Sequence, residues 1–204
     1  MMFRPTALGA LLFSIALLAF AGIGPARAAD SDAADPSLPS LEGLYYDWSL
    51  YEMQENGNRV CYLSSGLERS SDAVPRRRPA VVLVTNRPAE GKKANVSVNA
   101  GFPYEDGGTV LMSIGRKQFH LIVSGGTAWA EDSDDLQIIA AIRGGSTLVV
   151  TGRMKSGPTT TDTFSLKGFG PALEALNRAC PMPGGLPSAA PHKAHRAKSR
   201  KKSK

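Results

Sequence analysis

The sequence is poor in cysteine, histidine and aromatic residues, and each shortage excludes a class of protein. Its 204 residues include two cysteines and three histidines, and 7% of them are aromatic. Two cysteines are too few for a disulfide-dense scaffold, and 21 glycines without a repeat exclude a collagen-like fibre. No C-x-x-C, H-E-x-x-H or G-x-S-x-G motif occurs, so zinc and serine-hydrolase sites with those signatures are not predicted. The composition fits one globular domain with appendages.

Positive charge is concentrated at the two ends of the chain. Residues 191–204 hold seven bases and no acid, and the first 28 residues add Arg4 and Arg27. Without these nine bases, the other 15 of the 24 Lys and Arg face 18 acids. The middle of the chain is therefore slightly acidic, although the net charge of the whole is +6.

The first 28 residues have the layout of a secretory signal peptide. Arg4 precedes an uncharged stretch at residues 5–26, and Ala26-Arg27-Ala28 forms an A-x-A cleavage site. We expect cleavage after Ala28 and a mature chain in the periplasm, with association to the outer membrane or cell surface as a further expectation. An uncleaved anchor is the alternative, because the apolar run approaches the ~20 residues that span a bilayer.

Cys61 and Cys180 are expected to form a disulfide. In an oxidising compartment two lone thiols most simply pair, and these two are 119 positions apart. A reactive thiol is the alternative, but neither cysteine has a neighbouring His or Lys to lower its pKa.

Short apolar or alternating runs separated by Gly, Pro, Asn and Asp predict a mostly antiparallel β domain of two layers at residues 41–181. It follows a polar linker at 29–40 and precedes a disordered basic tail at 182–204. Strands are predicted at 45–53, 59–64, 80–85, 95–99, 109–114, 118–123, 127–130, 146–153 and 159–166. Helices are predicted at 134–143, with Ser133 as N-cap, and at 170–179.

His120 and the acidic cluster at residues 131–135 are the candidates for chemistry. Glu131, Asp132, Asp134 and Asp135 could hold a cation through carboxylate oxygens, and His120 could act as a base or ligand beside them. The alternative places His120 as an ordinary strand residue and the aspartates in the first turn of a helix, where the helix dipole favours negative charge. No metal site is predicted.

Two groups of bases are candidates for contact with anions. Arg76, Arg77 and Arg78 lie between Pro75 and Pro79 and could grip phosphate or carboxylate, or could simply be a solvated loop. In the tail, the candidates are Lys198, Arg200, Lys201 and Lys202. Predicted export argues against nucleic acid, which leaves anionic lipid, lipopolysaccharide or a host polyanion. A tail that only aids solubility is the alternative.

Five motifs occur in order along the domain: Tyr46-Asp47-Trp48, residues 98–104 (VNAGFPY), Ala128-Trp129, residues 160–169 (TTDTFSLKGF) and residues 175–180 (ALNRAC). Together they resemble the invasion-associated locus B family of exported proteins from Gram-negative bacteria, which is named for a member linked to host-cell entry. The resemblance implies an immunoglobulin-like antiparallel β-sandwich with one or two short helices, and no catalytic or cofactor residues. We expect Trp48, Trp129 and Phe164 to fill the space between sheets, and Asp162 to satisfy backbone at a strand end.

These features favour an exported, non-enzymatic binding protein of the envelope or cell surface. Its expected partner is another envelope protein, an anionic membrane or lipopolysaccharide surface, or a host molecule, with no nucleic acid and no cofactor. One alternative is an enzyme or metal-dependent module built on His120 and the acidic cluster. The other is a structural or chaperone-like envelope protein.

Overall fold

The computed structural model describes residues 35–70, 74, 77–91 and 94–182. The predicted signal peptide, the first half of the predicted linker (29–34), Arg76 and the predicted tail beyond Met182 lie outside these residues. The described strands are β1 (Ser40–Tyr45), β2 (Trp48–Glu55), β3 (Asn58–Ser70), β4 (Val81–Asn86), β5 (Asn95–Asn99), β6 (Thr109–Ile114), β7 (Lys117–Ser124), β8 (Thr127–Trp129), β9 (Thr147–Arg153) and β10 (Thr159–Ser165). The helices are α1 (Asp135–Gly144) and α2 (Phe169–Ala179), with a 3₁₀ turn at Pro88–Glu90.

Eight of these strands form a closed antiparallel barrel. Going round the ring, the order is β3, β10, β9, β6, β7, β8, β5 and β4, and six residue pairs from Cys61↔Asn86 to Gly66↔Val81 join β4 back to β3. The other two strands extend the sheet outside the ring, because β2 pairs with β3 and β1 pairs only with β2.

The expected immunoglobulin-like sandwich is therefore wrong, although the mostly β composition is confirmed. A sandwich consists of two sheets that are separate at their edges. Here the 13-residue strand β3 pairs with β4 over Cys61–Gly66 and with β10 over Leu67–Ser70, so it connects what would be two sheets. Where its partner changes, β3 has one extra residue, Glu68, opposite Thr163 and Phe164 of β10, which is a β-bulge of the kind found at barrel corners.

Alternating side chains fill the barrel, and α2 packs against the strands on one side of it. In β7, for example, Phe119, Leu121 and Val123 are buried while the residues between them are exposed. The apolar face of α2 packs on β1, β2 and β3, where the Trp48 and Phe169 rings meet edge to face at 4.8 Å between centroids. Such aromatic pairs add about 0.5–1.5 kcal/mol beyond their burial.

The Cys61–Cys180 disulfide joins the end of α2 to β3. Both cysteines are fully buried, and the Asn86 side chain donates a hydrogen bond to the Cys180 carbonyl oxygen at 2.9 Å. The C-terminal end of α2 is therefore fixed against both β3 and β4. No helix among the described residues has the length and apolar character needed to cross a membrane.

Candidate functional site

Arg77 lies inside the protein, where it cannot contact an external anion. Its side chain is 9% exposed and forms an ion pair with Asp162, whose side chain is 1% exposed. Arg77 Nε also donates to the Ala100 carbonyl oxygen at 2.6 Å, and the guanidinium lies 4.9 Å from the centroid of the Phe102 ring. The Ser70 hydroxyl donates to Asp162 Oδ1 at 2.8 Å. The expectation that Arg77 contacts external anions is thus wrong, because a buried carboxylate takes up its charge. Asp162 lies in the middle of β10 and pairs with Arg77, so the strand-end role expected for it is also wrong.

Arg78 is exposed, unlike its neighbour. It lines an open groove of about 470 Å³ together with Phe102 and Pro103. Its backbone N–H donates to the Gly101 carbonyl oxygen at 3.2 Å. A Cβ on Gly101 would lie 2.0 Å from the Arg78 carbonyl oxygen, so only glycine permits this approach. The other predicted anion contacts, Arg76, Lys198, Arg200, Lys201 and Lys202, lie outside the described residues.

The acidic cluster and His120 do not form a metal centre. His120 is exposed on β7, opposite Leu111 of β6. Asp135 is buried in the first turn of α1, and its Oδ1 accepts a hydrogen bond from the Val96 N–H at 2.8 Å. Within the described ranges, no three His, Cys, Asp or Glu side chains are placed to hold a metal ion. The N-cap of α1 is Asp134, one residue after the predicted Ser133.

A cleft of about 600 Å³ lies beside Trp129. Thr85 and Asn95 are partners across β4 and β5, and the 3₁₀ turn after β4 ends at Gly91, whose φ of 62° is left-handed. The chain from β8 into α1 provides the opposite wall. We call this the Trp129 cleft; its lining residues are Thr85, Arg87, Glu90, Gly91, Asn95, Trp129, Asp132 and Asp135.

Carboxylates outnumber bases in the Trp129 cleft. Among its described lining residues, Arg87 is the one base, against Glu90, Asp132 and Asp135. Arg87 Nε donates to Glu55 Oε2 at 2.9 Å and lies 3.6 Å from Glu90 Oε1. The guanidinium is therefore already paired, and the described lining residues carry a net negative charge.

The pKa of Asp135 is raised in this cleft. Burial is the largest cause and raises the pKa of Asp135 to about 6. Hydrogen bonds from the Val96 N–H and the Asn95 side chain oppose the shift, while the charges of Asp132 and Asp134 add to it. The ionised form of Asp135 therefore costs folding free energy at neutral pH.

Replacing Asp135 with asparagine should change how stability depends on pH. Because the pKa of Asp135 is higher in the folded chain than the ordinary 3.8, its stabilising contribution is complete below about pH 4 and is lost as pH rises through 6. An asparagine carbonyl can still accept the Val96 N–H but carries no charge. Relative to the native protein, Asp135→Asn should gain about 1–3 kcal/mol between pH 4 and pH 7.5, measured by urea unfolding. Glu174→Gln, which removes an exposed carboxylate on α2, is the control, and parallel pH profiles for native protein and Asp135→Asn would contradict the assignment.

The sheet also exposes apolar side chains on its outer surface. One row of neighbours across six strand pairs runs Leu44, Ser49, Ser64, Leu83, Ser97, Trp129 and Ile122. Leu44 is 69% exposed, Ile122 52% and Trp129 37%. In the adjacent row Leu41, Tyr51 and Tyr62 are neighbours, and the two tyrosine rings stack at 5.2 Å. We call this surface the outer apolar face, defined by Leu41, Leu44, Tyr51, Tyr62, Leu83, Ile122 and Trp129.

A β-bulge in β1 aligns two of these residues. Leu41 pairs with Tyr51 and Leu44 with Ser49, so the shift between Leu41 and Gly43 gives β1 one extra residue. Without that residue, positions 41 and 44 would point to opposite faces of the strand. Strand β1 was not predicted, and this part of the site was therefore missed.

The comparisons with known proteins decide the family. The family described as invasion associated locus B (IalB) protein matches residues 48–177. The chain belongs to this family. The crystal structure of invasion associated protein B from Bartonella henselae is 17% identical and covers 70% of this chain and 96% of its own, with a TM-score of 0.46. No curated protein matches the chain.

Two of the motifs that suggested the IalB family contact each other. The Asp47 N–H donates to the Lys167 carbonyl oxygen at 3.3 Å, and the Ser165 hydroxyl donates to Asp47 Oδ2 at 2.5 Å. Gly168 has a φ of 93°, and a Cβ there would lie 1.9 Å from the Tyr45 carbonyl oxygen. The tyrosine-aspartate-tryptophan turn and the loop into α2 thus form one packed unit. As expected, Trp48 and Phe164 are fully buried, whereas Trp129 is not.

Proposed function

We propose that this IalB family member is an exported, non-enzymatic binding protein of the cell envelope, which engages another polypeptide through its outer apolar face. The observation that carries the proposal is the exposure of Leu41 and Leu44 on β1, with Trp129 and Ile122 further round the barrel in the same row. Exposed apolar side chains rimmed by polar residues mark interaction sites. The family's name supports a role in host-cell invasion as part of this proposal.

The free edge of β1 supports a polypeptide partner. Strand β1 pairs with β2 on one side, and within the described residues no other strand pairs with it. Leu38 and Tyr46, which flank β1, are exposed together with Leu41 and Leu44. Unpaired backbone N–H and C=O groups beside apolar side chains accept an added strand of a partner.

The charge around this face favours a polypeptide over an anionic membrane or lipopolysaccharide. Glu42, Glu52, Glu55 and Asp132 lie on or beside the strands that carry it, and Arg59 is already paired with Glu52 at the same edge. An anionic surface would be repelled by this excess of carboxylates. An envelope protein and a host protein both meet this description. A chaperone-like role would use the same face to bind several client proteins.

Site-specific photo-crosslinking in intact cells tests the proposal. A photoreactive residue at Leu44 or Ile122 should form an adduct with one defined protein, and the same residue at Glu174, exposed on α2, should not. In the purified complex, Leu44→Asp should weaken binding at least about tenfold, because it buries a charge against apolar contacts. Glu174→Gln should leave the affinity unchanged. The exported chain should begin at Ala29.

Equal adducts at all three positions, or adducts only at Glu174, would contradict a role for the outer apolar face. A mature chain that keeps residues 1–28 would contradict export by a cleaved signal.

A further inference from the structure

The Trp129 cleft has the chemistry of a site for cationic side chains. Its described lining has three carboxylates, and its one guanidinium is already engaged by Glu55 and Glu90. The indole of Trp129 is 37% exposed in the wall of the same cleft, and its Nε1 donates to the Ser124 carbonyl oxygen at 3.3 Å. That hydrogen bond fixes the edge of the indole ring and leaves the face of the ring accessible for contact. A lysine or arginine over an indole face gains about 0.5–1 kcal/mol at an exposed site.

The described chain ends against β4, whose outer face forms one wall of this cleft. Cys180 is held by the disulfide to Cys61, and its carbonyl oxygen accepts the Asn86 side chain at 2.9 Å. Thr85 and Arg87, the residues on either side of Asn86, both line the cleft. Met182 is two residues beyond Cys180, so it lies within about 7 Å of it.

The remaining 22 residues of the chain carry the complementary charge. Residues 191–204 contain seven bases and no acid, and the first of them is Lys193. The 11 residues from Met182 to Lys193 can span at most about 35 Å, which is ample for a cleft next to their starting point. Attachment to the same molecule also gives an effective concentration in the millimolar range, so weak individual contacts suffice.

We propose that the Trp129 cleft binds the basic C-terminal segment of its own chain, residues 191–204, with lysine or arginine side chains against Trp129 and Asp132. This interaction is intramolecular and needs no partner on the outer apolar face, with which the cleft shares Trp129. It withholds the basic segment from external anions at low salt. At 1 M salt, where the Debye length is about 3 Å, the contact should open.

Zero-length carbodiimide coupling of the full-length mature protein tests the site, because it joins only amines and carboxylates in direct contact. Cross-links from Lys198, Lys201, Lys202 or Lys204 should form with Asp132 or Glu90, and not with Glu68 or Glu174, which are exposed elsewhere. The Asp132 cross-link should be lost in Asp132→Asn, and all of them should be lost at 1 M salt. Cross-links spread evenly over Glu68, Glu174 and Asp132 would overturn the proposal.

Two further measurements identify the occupant. In an equal mixture of ¹⁴N- and ¹⁵N-labelled protein, links within one copy support the proposal, and links between copies overturn it. Lys92 and Lys93 follow Gly91 in the sequence and are competing occupants, so links from them in place of the C-terminal lysines would also overturn it. Replacing Lys198, Arg200, Lys201 and Lys202 with glutamine should shift the Trp129 indole NMR signal and leave that of buried Trp48 in place. An unchanged Trp129 signal would refute the contact.

Discussion

Replacing Arg77 with methionine should lower the free energy of unfolding by about 3–5 kcal/mol, because it leaves the Asp162 carboxylate buried without its counter-charge. Arg77 donates through Nη1 to Asp162 Oδ1 at 2.8 Å and through Nη2 to Oδ2, so both carboxylate oxygens lose a charged donor. Of the side chains described as donating to Asp162, the Ser70 hydroxyl would remain. Methionine keeps an apolar stem against Phe102, which limits the loss of packing. Urea unfolding at pH 7 measures the effect.

An exposed ion pair provides the matched control. Arg59 forms a comparable bidentate pair with Glu52, but the Arg59 side chain is half exposed. Arg59→Met should therefore cost only about 0–1 kcal/mol. The double variant Arg77→Met with Asp162→Asn should be more stable than Arg77→Met alone, because the buried charge is gone. Equal losses for Arg77→Met and Arg59→Met would show that the Arg77–Asp162 pair is not buried.

Removing the disulfide should have an effect of similar size. The double variant Cys61→Ala with Cys180→Ala should lose about 4–5 kcal/mol, because the bridge closes a loop of 119 residues in the unfolded chain. The unfolded state of the variant should also be more expanded, which raises the slope of unfolding free energy against urea.

Chemical reduction of the native protein is a second test of the disulfide, because it can be compared with the double variant. A reducing agent should bring the native protein close to the stability of the double variant and should leave the double variant unchanged. If the oxidised native protein and the double variant unfold at the same urea concentration, the bridge does not stabilise the fold.

Local patterns predicted most of the individual strands and helices. Strands β5 and β6 begin and end at the predicted residues, and both helices lie within one residue of their predicted bounds. In these segments the alternation or the helical period is complete and turn residues follow. The pairing of Cys61 with Cys180 also follows from the scarcity of cysteine.

Features that depend on distant residues were not predictable in this way. The bulge in β1 breaks the alternation of apolar and polar residues. The second half of β3 is polar and is held in the sheet by its pairs with β10. The ring closes through pairs between β3 and β4, and a run of short strands is equally compatible with a sandwich. Arg77 and Asp162 are 85 positions apart, so no local pattern indicates that they form a buried ion pair.

The candidate site was predicted in part. The acidic residues at the start of α1 were recognised, but their neighbours in the Trp129 cleft come from β4, β5 and the 3₁₀ turn. Trp129 was expected inside the fold because tryptophan is usually buried. Its actual exposure depends on which face of the short strand β8 points outward, and three residues are too few to show an alternation.

The position of β10 sets the order in which this protein can fold. It is the last of the described strands to be synthesised, yet it lies between β3 and β9 in the ring. Contacts so far apart along the chain give a high contact order, for which folding takes milliseconds to seconds. A ribosome-bound or truncated chain that stops before Thr159 would leave β9 and part of β3 without their partner, and such unpaired strands recruit strands from other molecules. This domain can therefore fold only after nearly all of its residues have been synthesised.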